Sequence, residues 1–116
     1  MINDFVQEVC LTLPATTEDI KWEHDLCFSV GNKMYCVAGA ADKFGVSFKC
    51  SEDDFVTLLE RGGIIPAPYM ARNKWVMIEQ PGALTRQEWM DYIMKSYTLV
   101  AAKLTKKTKA ELGLNT

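Results

Sequence analysis

The chain lacks the residue combinations on which most catalytic and metal sites depend. It has one histidine in 116 residues, and its four cysteines lie 17, 9 and 14 residues apart without a C-x-x-C pair. A structural zinc site needs four Cys or His ligands at close spacing, so the sequence gives no basis for zinc. The motifs G-x-S-x-G and H-E-x-x-H are missing, and no glycine-rich loop is followed by Lys-Ser or Lys-Thr. We therefore expect no metal, no cofactor and no enzymatic activity.

One stretch invites a catalytic interpretation. His24, Asp25 and Cys27 bring a base, an orienting carboxylate and a nucleophile together along the chain. Neighbouring side chains of an extended segment point in alternating directions, and catalytic triads are assembled from distant segments. Chance adjacency is therefore the better explanation. We expect the four cysteines to be reduced thiols in the core, as is usual in the cytosol.

Long apolar runs are also missing, and none approaches the ~20 residues that a membrane span needs. The first residues, Met1–Asp4, lack the basic and apolar regions of a signal peptide. We expect a cytoplasmic protein with no membrane contact. A chain of 116 residues that is 48% hydrophobic and 24% charged suits a single domain over residues 1–116. We expect a monomer.

Positive charge is scarce in total but unevenly distributed. The net charge is −2 and the isoelectric point is ≈ 5.4, which disfavours a strong nonspecific nucleic-acid binder. Residues 1–60 hold 4 Lys/Arg against 11 Asp/Glu, and residues 61–116 hold 9 against 4. Such an acidic half and basic half are typical either of a dipolar binding protein or of an ordinary surface of mixed charge.

Hydrophobic spacing predicts three helices. Asn3 and Asp4 are candidate caps for the first helix, and Pro14 prevents its continuation. Ser51 caps the second helix. Thr85 opens the third with the capping box Thr-Arg-Gln-Glu. The predicted helices span about residues 5–13, 52–61 and 86–104.

Four short strands are predicted, with a tight turn at Gly31-Asn32 and a second turn at Ala41–Lys43. The segment Ala15–Asp25 is predicted to be a loop docked by Trp22, and residues 105–116 a basic, partly frayed tail. Short hairpins imply antiparallel pairing, so the fold class is α+β: a twisted antiparallel sheet with three helices packed on it. The predicted strands span residues 26–30, 33–38, 45–50 and 75–79.

Four segments carry a family resemblance: Phe28–Tyr35, Ser47–Cys50, Ile64–Glu79 and Ser96–Val100. In this order along the chain they resemble the MmcQ/YjbR family. The resemblance implies a double-wing sheet related to the CyaY/frataxin-like group, and DNA binding is suspected for this family by analogy of shape. Frataxin-like proteins bind iron through an acidic helical ridge. The first helix here offers only Asp4 and Glu8, so we expect no metal site.

A nucleic-acid interface is predicted from three groups of residues. Lys49 lies on the solvent side of its predicted strand, and Lys33 at the hairpin tip can approach the same ligand. The proline-containing loop at 66–74 offers cations for phosphate and aromatic rings for stacking. A lysine-rich stretch beyond residue 102 adds a third zone. The candidate residues are Lys33, Lys49, Tyr69, Arg72, Lys74, Trp75, Lys103, Lys106 and Lys107.

Two function classes stay open. The first is DNA binding through the sheet face and this loop. The second is a module that binds a protein or a small ligand in a groove lined by Tyr69, Met70 and Trp75. Trp75 can equally be a core residue, as most tryptophans in small domains are.

Overall fold

The computed structural model describes residues 2–21, 25–39, 44–68 and 70–114. The predicted roles of Trp22, His24 and Tyr69 and the predicted turn at Ala41–Lys43 lie outside the described residues. The described strands are β1 (Thr17–Lys21), β2 (Asp25–Val30), β3 (Lys33–Gly39), β4 (Val46–Lys49), β5 (Ile64–Pro66) and β6 (Trp75–Ile78). The described helices are α1 (Ile2–Leu11), α2 (Glu52–Leu59), α3 (Arg86–Ala102) and α4 (Lys106–Glu111).

The strands form one sheet in the order β1-β2-β3-β4-β6-β5, and every neighbouring pair is antiparallel. Strands β1 to β4 follow one another as a meander. The chain then leaves the sheet through α2 and returns as β5 at the edge and β6 beside β4. The three longer helices pack on one face, so the predicted α+β architecture is confirmed.

The main core lies between the helices and one face of the sheet. Side chains of a strand alternate between faces, and the core receives every second residue of β4 and β6. Full burial of a large apolar side chain contributes about 1.5–3 kcal/mol, so this layer supplies most of the stability. Its fully buried members include Val6, Phe28, Val46, Phe48, Leu58, Val76, Ile78, Trp89 and Ile93.

A β-bulge interrupts the alternation in β3. Phe28 pairs with Cys36, but Ser29 pairs with Met34, so Tyr35 is an extra residue without a partner in β2. Tyr35 and Cys36 both belong to the main core, although they are consecutive. A bulge re-aims the side chains beside it. Here it places Met34 on the outer face of the sheet, the face opposite the helices.

Ser96 of α3 bridges the two strands next to this bulge. Its hydroxyl donates to the Tyr35 carbonyl oxygen over 2.6 Å and accepts from the Lys49 backbone N–H over 2.9 Å. Regular pairing between β3 and β4 ends at Cys36 and Phe48, so these two backbone groups have lost their ladder partners. The Ser96 side chain is 0% exposed and satisfies both groups.

The described elements depart from the predicted ones at the edges of the fold. Strand β1 forms where a loop is predicted, because an edge strand with both faces exposed carries no apolar alternation. Strand β5 is not among the predicted strands, because Pro66 argues against a strand. Proline is tolerated here because β5 lies at the edge of the sheet. Helix α1 begins at Ile2, so the predicted start is too late and Asn3 and Asp4 lie within the helix. Beyond the predicted end of the third helix, the short helix α4 begins after the cap of Thr105.

The four cysteines are free and buried, as predicted. The predicted caps at Ser51 and Thr85 are confirmed, with the Ser51 hydroxyl accepting from the Asp54 N–H and the Thr85 hydroxyl from the Glu88 N–H. Glu88 reaches back to the Thr85 N–H and completes the capping box.

An ion pair joins this capping box to the end of α2. The two guanidinium nitrogens of Arg61 donate to the two carboxylate oxygens of Glu88, at 3.0 and 2.6 Å. These hydrogen bonds, followed by those from Thr85, lower the pKa of Glu88 to about 2. The bidentate geometry fixes α2 against the beginning of α3.

Replacement of Ser96 by alanine should destabilise the fold by about 2–4 kcal/mol, because it leaves two largely buried backbone groups without a partner. Thr98→Ala is the matched control, since Thr98 is exposed on the same helix and bonds only within it, to the Met94 carbonyl. That variant should change stability by about 0.5 kcal/mol or less. Urea unfolding of both variants measures the difference, and equal midpoints would contradict the role of the bridge.

Glu88 should make the protein acid-sensitive in a defined window. Its folded pKa is lowered, so its stabilisation is fully present above the ordinary value of 4.5 and is lost as the pH falls towards about 2. Glu88→Gln should flatten the pH dependence of the melting temperature in this window. Arg61→Met should flatten it as well, because it removes the largest cause of the shift. If the pH dependence of the melting temperature is unchanged in both variants, the ion pair does not contribute to the acid sensitivity of the fold.

Candidate nucleic-acid interface

The outer face of the sheet carries a second, smaller apolar cluster. It contains Cys27, Val37, Ala67 and Trp75, with methionine side chains packed around them. The loop between β5 and β6 folds over this face, and the Ala67 N–H donates to the Trp75 carbonyl oxygen over 3.0 Å. Trp75 is therefore only 6% exposed. Trp75 thus belongs to the cluster under the loop, in agreement with the alternative that it is a core residue, and its stacking on a base stays a prediction.

Three of the predicted lysines meet in one open groove beside this cluster. Lys33, Lys49 and Lys103 line it, and its volume is about 490 Å³. We call it the lysine groove. The three residues are far apart in the sequence but come together where β3 begins, β4 ends and α3 ends. The remaining lining residues are Met34, Met70, Asn73, Trp75, Val100 and Leu104.

The hairpin between β2 and β3 is docked against the end of α3. Gly31 has a φ of +58°, and a Cβ placed there would lie 2.7 Å from the Leu104 Cδ2 atom. Glycine suits the positive φ of the turn, and its lack of a side chain lets Leu104 approach closely. The contact holds Lys33, which follows the turn, near Lys103, which caps the end of α3.

The groove concentrates positive charge. Partial burial lowers the pKa of Lys49, and the positive charge of Lys103 lowers it further. The Lys49 ammonium donates to the Asn73 carbonyl oxygen over 2.7 Å. The ion pairs within the described residues are Arg61–Glu88 and Lys95–Asp54, and neither involves a lysine of the groove. An anion placed there would stabilise the charged form of Lys49.

The other predicted cations lie outside the groove. The Lys74 ammonium is 5.1 Å from the centroid of the Phe55 ring, so it faces α2. Lys74 also has a φ of +63°, and its carbonyl oxygen accepts from the Cys50 N–H over 2.9 Å. Arg72 is exposed on the 3₁₀ turn Ala71–Asn73. Lys106 and Lys107 are exposed on the first turn of α4. Their contacts with a ligand stay predictions.

A second pocket opens next to the lysine groove on the same face. Met34 and Met70 line both cavities, and Met77 completes a set of three thioethers in the second one. Its volume is about 590 Å³, and we call it the methionine pocket. The further lining residues are Asp25, Val37, Ser47 and Pro68. Sequence reasoning missed Met34 and Met77 as site residues. For Met34 the reason is the bulge, which has no recognisable sequence signal, whereas Met77 could have been found from its alternation with Trp75 in β6.

The structure places Asp25 and Cys27 in different surroundings. Asp25 lines the methionine pocket, whereas Cys27 is 0% exposed. Burial raises the pKa of the Cys27 thiol, the neighbouring Asp25 and Asp19 raise it further, and Lys21 opposes the shift. A buried thiol with a raised pKa is a poor nucleophile at neutral pH.

Two further searches concern only the described portion of the chain. Within it, no group of three or more His, Cys, Asp or Glu side chains is arranged to hold a metal ion. No helix there combines the length and the apolar character that crossing a bilayer requires.

Comparisons with known proteins agree on the family. The YjbR family model matches residues 11–99. A crystal structure of a Deinococcus radiodurans protein with a DUF419 domain is similar at a TM-score of 0.83 and 25% identity, covering 99% of this chain and 89% of that one. A Pseudomonas syringae protein shares the fold at a TM-score of 0.69 and 20% identity, covering 84% of this chain and 97% of that one. A comparison with curated proteins yields no match. Because the family model covers most of the chain, the protein belongs to the YjbR family.

Proposed function

We propose that the protein is a non-enzymatic nucleic-acid-binding protein whose lysine groove contacts backbone phosphates. The observation that carries the proposal is the convergence of Lys33, Lys49 and Lys103 from three separate elements into one groove. Lysine is a point charge with three donors, which suits phosphate oxygens. Phosphate contacts of this kind fix position along a strand and carry no sequence information.

The depressed pKa of Lys49 supports the same function. Lys103 already disfavours the charge on Lys49, so a phosphate between them would relieve a repulsion that is present in the free protein. The net charge of −2 does not oppose a local site, since charges more than about 8 Å away are largely screened at physiological salt.

The number of phosphates contacted should be small. A groove with three lysines neutralises about three phosphates, which corresponds to a salt slope of roughly −2 to −3 in a log–log plot. Binding should therefore be readily detected at low salt and should weaken steeply as salt is added. Arg72, exposed beside the groove-lining Asn73, is a candidate for one further phosphate contact.

A second candidate function is the binding of a small anion with an apolar body. The observation in its favour is that the methionine pocket opens directly beside the lysine groove. Both volumes fall in the range of about 300–1,000 Å³ that is usual for ligand sites. Saturable binding of a mononucleotide by a protein that binds no oligonucleotide or duplex at low salt would favour this candidate.

The double variant Lys33→Ala/Lys103→Ala should weaken binding to every nucleic acid tested. Two lost phosphate contacts should reduce the salt slope by about two, and the affinity at low salt should fall at least about tenfold. Lys49 is left intact because its side chain also bonds the Asn73 carbonyl. Anisotropy titrations over a range of salt concentrations measure both quantities.

The matched control is Lys106→Ala/Lys107→Ala, which removes the same charge from two exposed positions on α4. It should leave the salt slope within the error of the wild type. Equal losses in both double variants would show that overall charge, and not the groove, determines binding. No binding by the wild type at low salt and tens of micromolar protein would reject the proposed function.

A further inference from the structure

The methionine pocket is continuous with the lysine groove but differs from it in chemistry. Met34 and Met70 form the boundary between the two cavities. One side presents three ammonium groups. The other presents thioethers, the Val37 side chain and the Ser47 hydroxyl, with the Asp25 carboxylate as its charged group. A ligand that fills both must combine an anionic group with a largely apolar body.

We propose that the methionine pocket takes an unpaired nucleobase with an exocyclic amino group, while the adjoining phosphate lies in the lysine groove. The inference rests on the proposed function and specifies the ligand as single-stranded nucleic acid. In a duplex both faces of a base are stacked and its pairing edge is occupied, so the base cannot enter a pocket. In a single strand both faces and the edge are free.

The thioethers suit the face of a base. Methionine is polarizable and unbranched, so it adapts to flat aromatic surfaces of different shape. Met34, Met70 and Met77 approach the pocket from β3, from the covering loop and from β6. Contacts of this kind tolerate every base, because each base has an apolar face. Discrimination between bases must therefore come from the polar groups of the pocket.

Asp25 supplies that discrimination and also fixes the direction of the strand. Its carboxylate repels phosphate, so the phosphate is directed to the lysine side. A carboxylate accepts hydrogen bonds from the amino group of cytosine, and the amino group of adenine is also a donor. Thymine and uracil have no exocyclic amino group; at the corresponding position they present a carbonyl oxygen, which the Asp25 carboxylate repels, and their ring N3–H is the donor that remains. The Ser47 hydroxyl can either donate or accept, so it adds affinity without selectivity.

The experiment compares wild-type binding of short oligo(dC), oligo(dT) and a duplex of the same length by fluorescence anisotropy at constant salt. Oligo(dC) should bind at least about tenfold more tightly than the duplex and roughly five- to tenfold more tightly than oligo(dT). A parallel titration with oligo(rC) and oligo(rU) shows whether RNA or DNA binds more tightly. Tighter binding of oligo(dC) than oligo(dT), or of oligo(rC) than oligo(rU), supports the proposal.

Two variants test the pocket itself. Ser47→Phe places a ring in the methionine pocket without altering the lysine groove, since Ser47 lines only the former. It should reduce the affinity for oligo(dC) to that for the duplex and leave the salt slope unchanged. Ser47→Ala, which keeps the pocket open, is its control. Asp25→Asn should leave the fold intact and remove the preference for oligo(dC) over oligo(dT), because an amide can donate as well as accept.

The possible failures are distinguishable. If the wild type binds duplex and single strand equally, with the salt slope expected for the lysine groove, the proposed function stands and the base pocket is wrong. A preference for oligo(dC) that survives both Ser47→Phe and Asp25→Asn, each verified as folded by its melting curve, also overturns the inference. If no nucleic acid binds the wild type at low salt, the proposed function itself fails.

Discussion

One buried hydroxyl on the helix side of the sheet joins two of the strands that form the outer face. Ser96 accepts from the Lys49 N–H and donates to the Tyr35 carbonyl oxygen, two backbone groups that lie just beyond the last pair of the β3–β4 ladder. Without that bridge, both groups would lose a partner, which costs about 1–3 kcal/mol for each group that is buried. The bulge between β2 and β3 turns Met34 outwards at the same place, so α3 braces the strand whose side chains line the lysine groove and the methionine pocket.

The same region combines two further constraints that hold the groove lysines together. Gly31 permits Leu104 to approach the hairpin turn, and the loop between β5 and β6 is fastened to the sheet by the pairing of Ala67 with Trp75. The Lys49 ammonium donates to the Asn73 carbonyl oxygen, and the charge of nearby Lys103 adds to the effect of partial burial in lowering the pKa of Lys49. Positive groups are thus kept close by packing elsewhere in the fold, which preorganises them for an anion.

The parts of the fold that sequence could predict are those with local chemical signals. Ser51 and Thr85 marked two helix starts through side-chain caps, and Gly31-Asn32 marked a hairpin through its backbone conformation. Strand β1 had no such signal, because it is held by backbone pairing and Ile20 within it is 67% exposed. The Tyr35 carbonyl at the bulge is bonded by Ser96, which is distant in sequence, so no local pattern could reveal this arrangement.

The candidate site was predictable to the extent that it depends on alternation along a strand. The alternation of side chains along β4 correctly predicts that Lys49 lies on the outer face. The position of Lys33 beside the hairpin turn correctly predicts that it lies near Lys49. Trp75 lies on that face too, but the loop that covers it is a tertiary feature. Lys74 does not line the lysine groove, because its backbone adopts a left-handed conformation and its ammonium lies over the Phe55 ring. Side-chain direction in an irregular loop cannot be deduced from spacing.

The acidic isoelectric point illustrates how composition and site can disagree. A sum over the whole chain weights all charges equally, whereas a bound phosphate responds mainly to charges within about a Debye length. Among the described residues that line the two cavities, Asp25 is the only acidic one, and it borders the methionine pocket and not the lysine groove. One end of this surface is therefore cationic and the other end carries a carboxylate, so a strand bound across both would have a defined direction. The net charge of a protein affects its solubility and its rate of encounter with a partner. The arrangement of these few side chains determines which ligand can bind.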